Sequence, residues 1–310
     1  MRTLECLMGI PFIVGSGRCG TSLLREMIRT HPEIHIPTES HWIPIMYEFH
    51  GMAAKPLGAF IDIMERVRFV EGVVTIDRML GGTNLSRTEF FAMVERRLGG
   101  RAAVNTVEVN DAIFETLAEI HGKTRWGEKT PGYGFYMGTL QRLWPNGRFV
   151  HLIRDGRDVA RSMSRHPGFR RMLELGVTNW VPVSFNGYAG RSSRSLGRRL
   201  LGKKRYPLEA YLALWQSRMS RILDESRLLS AGSYLEVRFE RLIAEPRRTI
   251  AAIGEFLELP IGEEWLDHAS ALVDTSRVGR GRNQFQEIRA SDADRRMLSE
   301  LGYEGVVASR

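Results

Sequence analysis

Two stretches of this chain carry residue types and spacings suited to holding an anion. In Gly15-Ser16-Gly17-Arg18-Cys19-Gly20-Thr21-Ser22, glycines alternate with a cation and the stretch closes on two hydroxyls. Glycine lets the backbone approach a ligand with no Cβ in the way. Converging N–H groups at a helix start then favour negative charge. The spacing nearly reproduces the phosphate-loop pattern G-x-x-x-x-G-K-[ST], but Thr21 stands where that pattern has lysine and the cation has moved inward to Arg18. An unliganded tight turn accounts for the glycines without accounting for Arg18 and the hydroxyls. The second stretch is the best internal strand, Arg148–Ile153, which leads into Arg154. A cation there suits an anion bound by arginine and hydroxyls without metal, since charge-assisted bonds are strong. The competing reading pairs Arg154 with Asp158 as a surface ion pair at a helix start.

These residues need strands and helices to hold them. Pro11-Phe12-Ile13-Val14 is a short apolar run stopped by Gly15, read as a buried strand. Leu23, Leu24, Met27 and Ile28 fall at helical spacing, so a helix runs from Thr21 to Thr30 and ends before His31-Pro32. Residues 41–122 read as mostly helical, broken at Gly51, Gly72, Gly81-Gly82 and Gly99-Gly100, with Asp111 as N-cap of the helix ending near Gly122. Arg148–Ile153 is a second strand, followed by a turn and a helix from Asp158; His151 inside it reads as a packed core residue. Residues 165–206 read as irregular. A long helix follows from about Pro207 to Leu229, with Leu212, Leu214 and Trp215 as core, then a strand at Tyr234–Val237 and a helix at Arg247–Leu257. Strands separated by helices imply an α/β fold: a single P-loop-like domain, 1–310, with a central parallel sheet flanked by helices. Its core motifs span 11–40 and 125–165, with a mobile basic segment at 165–206.

Composition removes other classes. The chain has 310 residues, 43% hydrophobic and 26% charged, with a net charge of +8. This is ordinary globular composition, neither disordered nor fibrous. No apolar run approaches the ~20 residues of a membrane span. The N-terminal apolar stretch carries Glu5 and no small-residue cleavage site, which makes it a poor signal peptide and implies a cytoplasmic protein. Cys6 and Cys19 cannot build a disulfide framework or a zinc site. Residues 191–205 hold seven cations and no anion. They read either as a solvated loop or as a lid or patch attracting an anionic acceptor or lipid surface.

The two motifs together resemble those of the sulfotransferases that use 3′-phosphoadenosine 5′-phosphosulfate (PAPS). Arg18-Cys19-Gly20-Thr21-Ser22 is similar to that family's loop for the 5′-phosphosulfate, and Arg154 with Ser162 eight residues later to its grip on the 3′-phosphate, where a turn plus one helical turn could fold Ser162 back beside Arg154. The resemblance implies that Gly17, Arg18, Cys19, Gly20, Thr21, Ser22, Arg154 and Ser162 bind PAPS, that adenosine 3′,5′-bisphosphate is the product, and that no metal is required. Thr30-His31-Pro32-Glu33-Ile34-His35-Ile36-Pro37-Thr38-Glu39-Ser40 is similar to the segment after the loop in tyrosylprotein sulfotransferases and their bacterial relatives. There a glutamate 21 residues beyond the loop arginine is the general base, which is Glu39 here. Glu128-Lys129-Thr130-Pro131 resembles their lysine-containing stretch and places Lys129 near the transferring group. Thr275-Ser276-Arg277 resembles a Ser-Lys pair, making Ser276 an auxiliary donor.

The implied reaction is in-line sulfuryl transfer to a hydroxyl, with Glu39 as base and Arg18 and Lys129 as cations. Glu39 could instead be an acid placed before the helix at 41, worth ~0.5 kcal/mol; Glu128 and His41 are then the next bases. Trp126, Trp180 and Phe185 are candidates for an acceptor pocket. The expected acceptor is a small molecule, lipid or sugar, with weak membrane-surface contact through 191–205 and no specific nucleic acid. Two rival readings are a P-loop kinase with a degenerate loop, which predicts ATP and Mg²⁺ dependence, and a nucleic-acid-binding protein using 191–205, which predicts salt-sensitive affinity.

Overall fold

β1 (Ile10–Gly15) is apolar from Pro11 to Val14, the pattern of a strand covered on both faces. In the structure, a computed structural model describing residues 9–67, 74–179, 204–274 and 288–303, Phe12, Ile13 and Val14 are fully buried. β1 lies between β4 (Glu128–Lys129) and β5 (Gly147–Ile153), and β5 pairs with β6 (Tyr234–Arg238), giving the order β4-β1-β5-β6. Every pairing is parallel. A second, two-stranded parallel sheet joins β2 (Ile34–His35) to β3 (Arg125–Trp126). The register sets Ile13 beside Lys129, Gly15 beside Leu152, and Ile153 beside Arg238. The carboxyl ends of the four strands therefore share one edge, the place where open parallel sheets bind ligands.

Parallel strands need crossovers, and helices supply them on both faces. Phe12 and Phe149 pack with Trp126, Trp144 and Phe114, the last from α6 (Thr106–Ile120). On the other face Ile13, Val150 and Leu152 meet Leu24 and Ile28 of α1 (Thr21–Arg29). A third cluster holds Val159 and Met163 of α8 (Gly156–Ser164) against Trp215 of α10 (Leu208–Ser226). Leu212 and Leu214 are buried there as well, as expected. His151 is also a core residue: it is fully buried, bonds the Tyr234 hydroxyl at 2.6 Å, and burial lowers its pKa to about 3.

The helical stretch resolves into α2 (Ile43–His50), α3 (Leu57–Arg66), α4 (Thr75–Leu80), α5 (Arg87–Arg97) and α6, with breaks where Gly51, Gly81-Gly82 and Gly99-Gly100 stand. Gly72 lies outside the described residues. Asp111 is not an N-cap. Asn105 caps α6 through a capping box with Glu108, and Asp111, one turn and a half inside, accepts from the Trp144 indole at 2.7 Å. The helix after β5 begins at Gly156 rather than Asp158, because the Asp155 side chain accepts from Arg157 N and caps it. Residues 165–206 are not all irregular: α9 (Pro167–Leu175) has Pro167 in its first turn and stops at left-handed Gly176. Four further α-helices among the described residues were not expected: α7 (Met137–Leu143), α11 (Phe239–Ala244), α13 (Glu263–Ala271) and α14 (Asp292–Glu300). The expected helix after β6 is α12 (Pro246–Phe256). Among the described residues no helix is long and apolar enough to cross a membrane.

Candidate active site

The glycine stretch leaves β1 at its carboxyl end and enters α1. Gly17 and Gly20 have φ of 81° and 103°, and Arg18, with φ 59°, shares the left-handed region. A Cβ at Gly17 would sit 2.7 Å from the Phe169 ring, and one at Gly20 would run into the Phe239 ring, so both positions need glycine for space and for conformation. Successive N–H groups in such a turn form an anion-holding concavity, and the first N–H groups of α1 have no partner within the helix. Thr21 is buried and Ser22 exposed at that helix start. Burial pushes the Cys19 thiol up against the opposing backbone bonds, so it packs as a neutral group. Arg18 is exposed, a left-handed residue held where few non-glycines settle.

Arg18 Nε donates to Ser162 Oγ at 3.1 Å, which joins the two motifs directly. Arg154 and Ser162, expected side by side, make no hydrogen bond with each other. Arg154 Nη2 instead pairs with Asp158 at 3.0 Å, the competing reading, and its guanidinium lies 4.4 Å from the Phe239 ring centroid. The reason is helical spacing: Asp158 and Ser162 are i,i+4 neighbours on α8, so Asp158 stands between Arg154 and Ser162 on one face. Behind this face the turn is well anchored. Asp155 pairs with Arg157 at 2.7 Å, Arg157 donates to the Tyr303 carbonyl at 2.9 Å, and Glu240 accepts from Asp155 N at 3.1 Å and from the Tyr303 hydroxyl at 2.8 Å.

Glu39 lies between β2 and α2. Its Oε1 accepts from Lys129 Nζ at 2.6 Å, and His41 Nε2 is 3.1 Å from its Oε2. α2 begins at Ile43 with Trp42 as N-cap, so Glu39 does not cap it. The Lys129 side chain is 4% exposed and that of Glu39 26%. Burial works to raise the Glu39 pKa, but the Lys129 charge and the His41 contact outweigh it and hold the carboxyl well below the usual carboxylate range. His41 has φ 60°, a second left-handed non-glycine residue at the site.

Beneath this turn is a buried network that sequence reasoning did not identify. Glu128 Oε1 accepts from Ser40 N at 3.2 Å, Ser40 Oγ at 2.9 Å and Thr130 Oγ1 at 2.6 Å. The Tyr133 hydroxyl is 2.6 Å from Ser40 Oγ and accepts from Ile43 N at 3.0 Å. Burial raises the Glu128 pKa, and its Oε2 has no partner among the described residues. Glu128 therefore supports the turn carrying Glu39. Trp126 is no pocket residue: it stacks on Phe114 at 4.8 Å inside the aromatic core, because β3 faces inward. Ser276, Trp180, Phe185 and residues 191–203 lie outside the described residues. One cation was missed, Arg218 of α10, fully buried behind the glycine turn. A charged residue three positions after Trp215, on the apolar stripe, was its only sequence signal.

The chain matches the family described as "Sulfotransferase family" over residues 11–181 and 187–263. It is 27% identical over 262 residues to a putative protein-tyrosine sulfotransferase of Caenorhabditis briggsae, covering 83% of this chain and 68% of that protein. It is 23% identical over 285 residues to protein-tyrosine sulfotransferase 2 of Gallus gallus, covering 89% of this chain and 60% of that one. Against another putative protein-tyrosine sulfotransferase, from Caenorhabditis elegans, it covers 54% of the relative's length. Among solved structures, the sulfotransferase domain from the curacin biosynthetic pathway superposes with a TM-score of 0.61 at 20% identity, covering 96% of this chain and 99% of that one. The sulfotransferase domain of the Synechococcus PCC 7002 olefin synthase gives 0.57 at 19% identity, covering 95% and 94%.

Proposed function

This chain belongs to the sulfotransferase family, and from that premise we propose that it takes its sulfuryl group from PAPS and passes it in line to a hydroxyl, with Glu39 as general base. The observation that carries the reading is the Glu39–Lys129 contact at 2.6 Å, at the strand edge where the glycine turn also begins. An unactivated hydroxyl is a poor nucleophile, and a carboxylate already deprotonated can take its proton as the S–O bond forms. A carboxylate so tightly paired is a weak base. When the donor draws Lys129 toward the oxygen that leaves sulfur, Glu39 loses its strongest stabilising neighbour and gains basicity as charge grows elsewhere. Arg18 meets the same end of the donor, and Ser276 assists it by resemblance. Arg154, released from Asp158, takes the 3′-phosphate, with Ser162 beside Arg18. The donor needs no metal in this scheme, since cations come from the chain.

The kinase alternative lacks support where the lysine of the phosphate loop should be, at Thr21. The test is thermal. Adenosine 3′,5′-bisphosphate at ~100 times its dissociation constant stabilises the fold by about 2.7 kcal/mol, and ATP with Mg²⁺ does so far less. Equal stabilisation by ATP–Mg²⁺ would transfer the assignment to the kinase. The acceptor is sought by mass-spectrometric screening for sulfated products with PAPS. Small-molecule, sugar and lipid hydroxyls, which we favour, stand beside tyrosine peptides, since the named relatives are protein-tyrosine sulfotransferases.

A further inference from the structure

Tyr211, Leu212, Trp215, Met219 and Ile222 form the buried stripe of α10, and position 218 falls among them. Helical spacing calls for an apolar side chain there. The residue is Arg218, with no solvent exposure. Its Nε donates to the Ser16 carbonyl at 2.6 Å and its Nη1 to the Thr178 carbonyl. Its guanidinium carbon lies 4.9 Å from the Phe135 ring centroid and 5.8 Å from that of Phe169. Among the described residues its Nη2 has no hydrogen-bond partner and no carboxylate pairs with it. Burial lowers its pKa to about 10, which leaves it charged at neutral pH, and the negative charge of Glu39 acts on it in the other direction. A buried cation without a paired carboxylate is a destabilising arrangement.

What Arg218 holds indicates what balances it. A peptide group is planar and trans. Turning the Ser16 carbonyl toward Arg218 therefore points the Gly17 N–H to the opposite side of the turn. Gly17 is wedged against Phe169, the same ring that Arg218 faces. The guanidinium thus braces the back of the glycine turn while its charge lies close behind the N–H groups in front.

We propose that Arg218 is a positioning residue for the donor: it sets the Ser16–Gly17 peptide so that the turn presents N–H groups to an anion, and the 5′-phosphate end of the donor is the counter-charge its own burial lacks. The inference rests on the donor reading above. It differs from a structural role in one respect: it makes Arg218 costly to the ligand-free fold and necessary to the ligand.

The experiment compares wild type, Arg218→Met and Arg218→Lys by ligand-free melting temperature and by calorimetric Kd for adenosine 3′,5′-bisphosphate. Methionine fills a similar volume without charge, so Arg218→Met is expected to melt no lower than wild type while binding the nucleotide at least tenfold more weakly. Arg218→Lys, which restores charge without the planar fork, is expected to recover part of that affinity. Weakened binding that lysine partly restores, with Arg218→Met melting no lower than wild type, supports the proposal. Weakened binding with a lower melting temperature in both variants overturns it, because that is the signature of a structural role. An unchanged Kd in Arg218→Met overturns it, as does failure of both variants to fold, which would make the residue structural. A wild type that does not bind the nucleotide overturns the donor reading and this inference together.

Discussion

Around Glu39 both carboxylate oxygens are engaged, by Lys129 and His41, and the turn below is pinned through Ser40, Thr130, Glu128 and Tyr133. Around Arg154 a single ion pair to a half-buried Asp158 and one ring contact hold the guanidinium, and its Nε has no partner among the described residues. Both groups stand at the carboxyl edge of the same sheet. The difference fits the roles proposed for the two groups. A group that takes part in bond-making gains from being held in place beforehand. A group that grips a phosphate must exchange partners, and a partly exposed ion pair worth about 0–1 kcal/mol is a partner easily given up. In the proposed scheme Asp158 keeps Arg154 oriented until a dianion displaces it.

The largest effect should come from the rigid side. Glu39→Gln keeps shape and removes basicity, so kcat should fall ~10²–10⁴-fold while the Kd for adenosine 3′,5′-bisphosphate stays near wild type. Retention of more than about a third of kcat would put the base elsewhere. Lys129→Met comes next, with kcat down ~10²–10³-fold and a shifted pH profile. Lys129 holds the Glu39 pKa down, so its removal raises that pKa, and the acid limb of kcat should move to higher pH. The same sign governs stability. A carboxyl depressed in the folded state stabilises above the unfolded value of about 4.3 and loses that contribution as pH falls below it. Acid melting of Lys129→Met should therefore lack part of the wild-type decline.

Effects on the exchangeable side should be smaller and fall on binding. Arg154→Ala removes a charged hydrogen bond of about 1.5–3 kcal/mol and should raise the donor KM roughly tenfold or more, with kcat little changed. An unchanged KM would take Arg154 out of the site. Asp158→Asn is the smallest and most discriminating. It should leave donor KM within about fivefold of wild type, lower rather than higher, because the pair contributes at most about 1 kcal/mol. A tenfold rise would mean that Asp158 orients the bound state and that the two sides are equally rigid.

Much of this organisation was legible in the residues alone. Apolar runs stopped by Gly15 and Arg154 marked β1 and β5, since a strand buried on both faces carries few polar positions to confuse it, and Tyr234–Val237 marked β6 although only Val237 of it is buried. Glycine breaks marked the helices between 43 and 120 for a similarly local reason. The two-residue strands β2, β3 and β4 escaped because so short a span has no period, and β4 carries Glu128 and Lys129, neither of which suggests a strand.

The sequence by itself determined the α/β class, the glycine turn and the identity of the chemical groups, because each is set by local conformational rules or by spacing within one segment. The tertiary structure alone decided which of those groups meet. Lys129 reaches Glu39 across 90 residues, and Arg18 reaches Ser162 across 144, through parallel strands whose register no local pattern encodes. It also decided that Arg154 pairs with Asp158, that Trp126 packs inward, and that a cation lies buried at 218. Contacts of that kind depend on crossovers bringing strand ends to one edge, and a hydrophobic pattern specifies that a strand is covered without specifying by what.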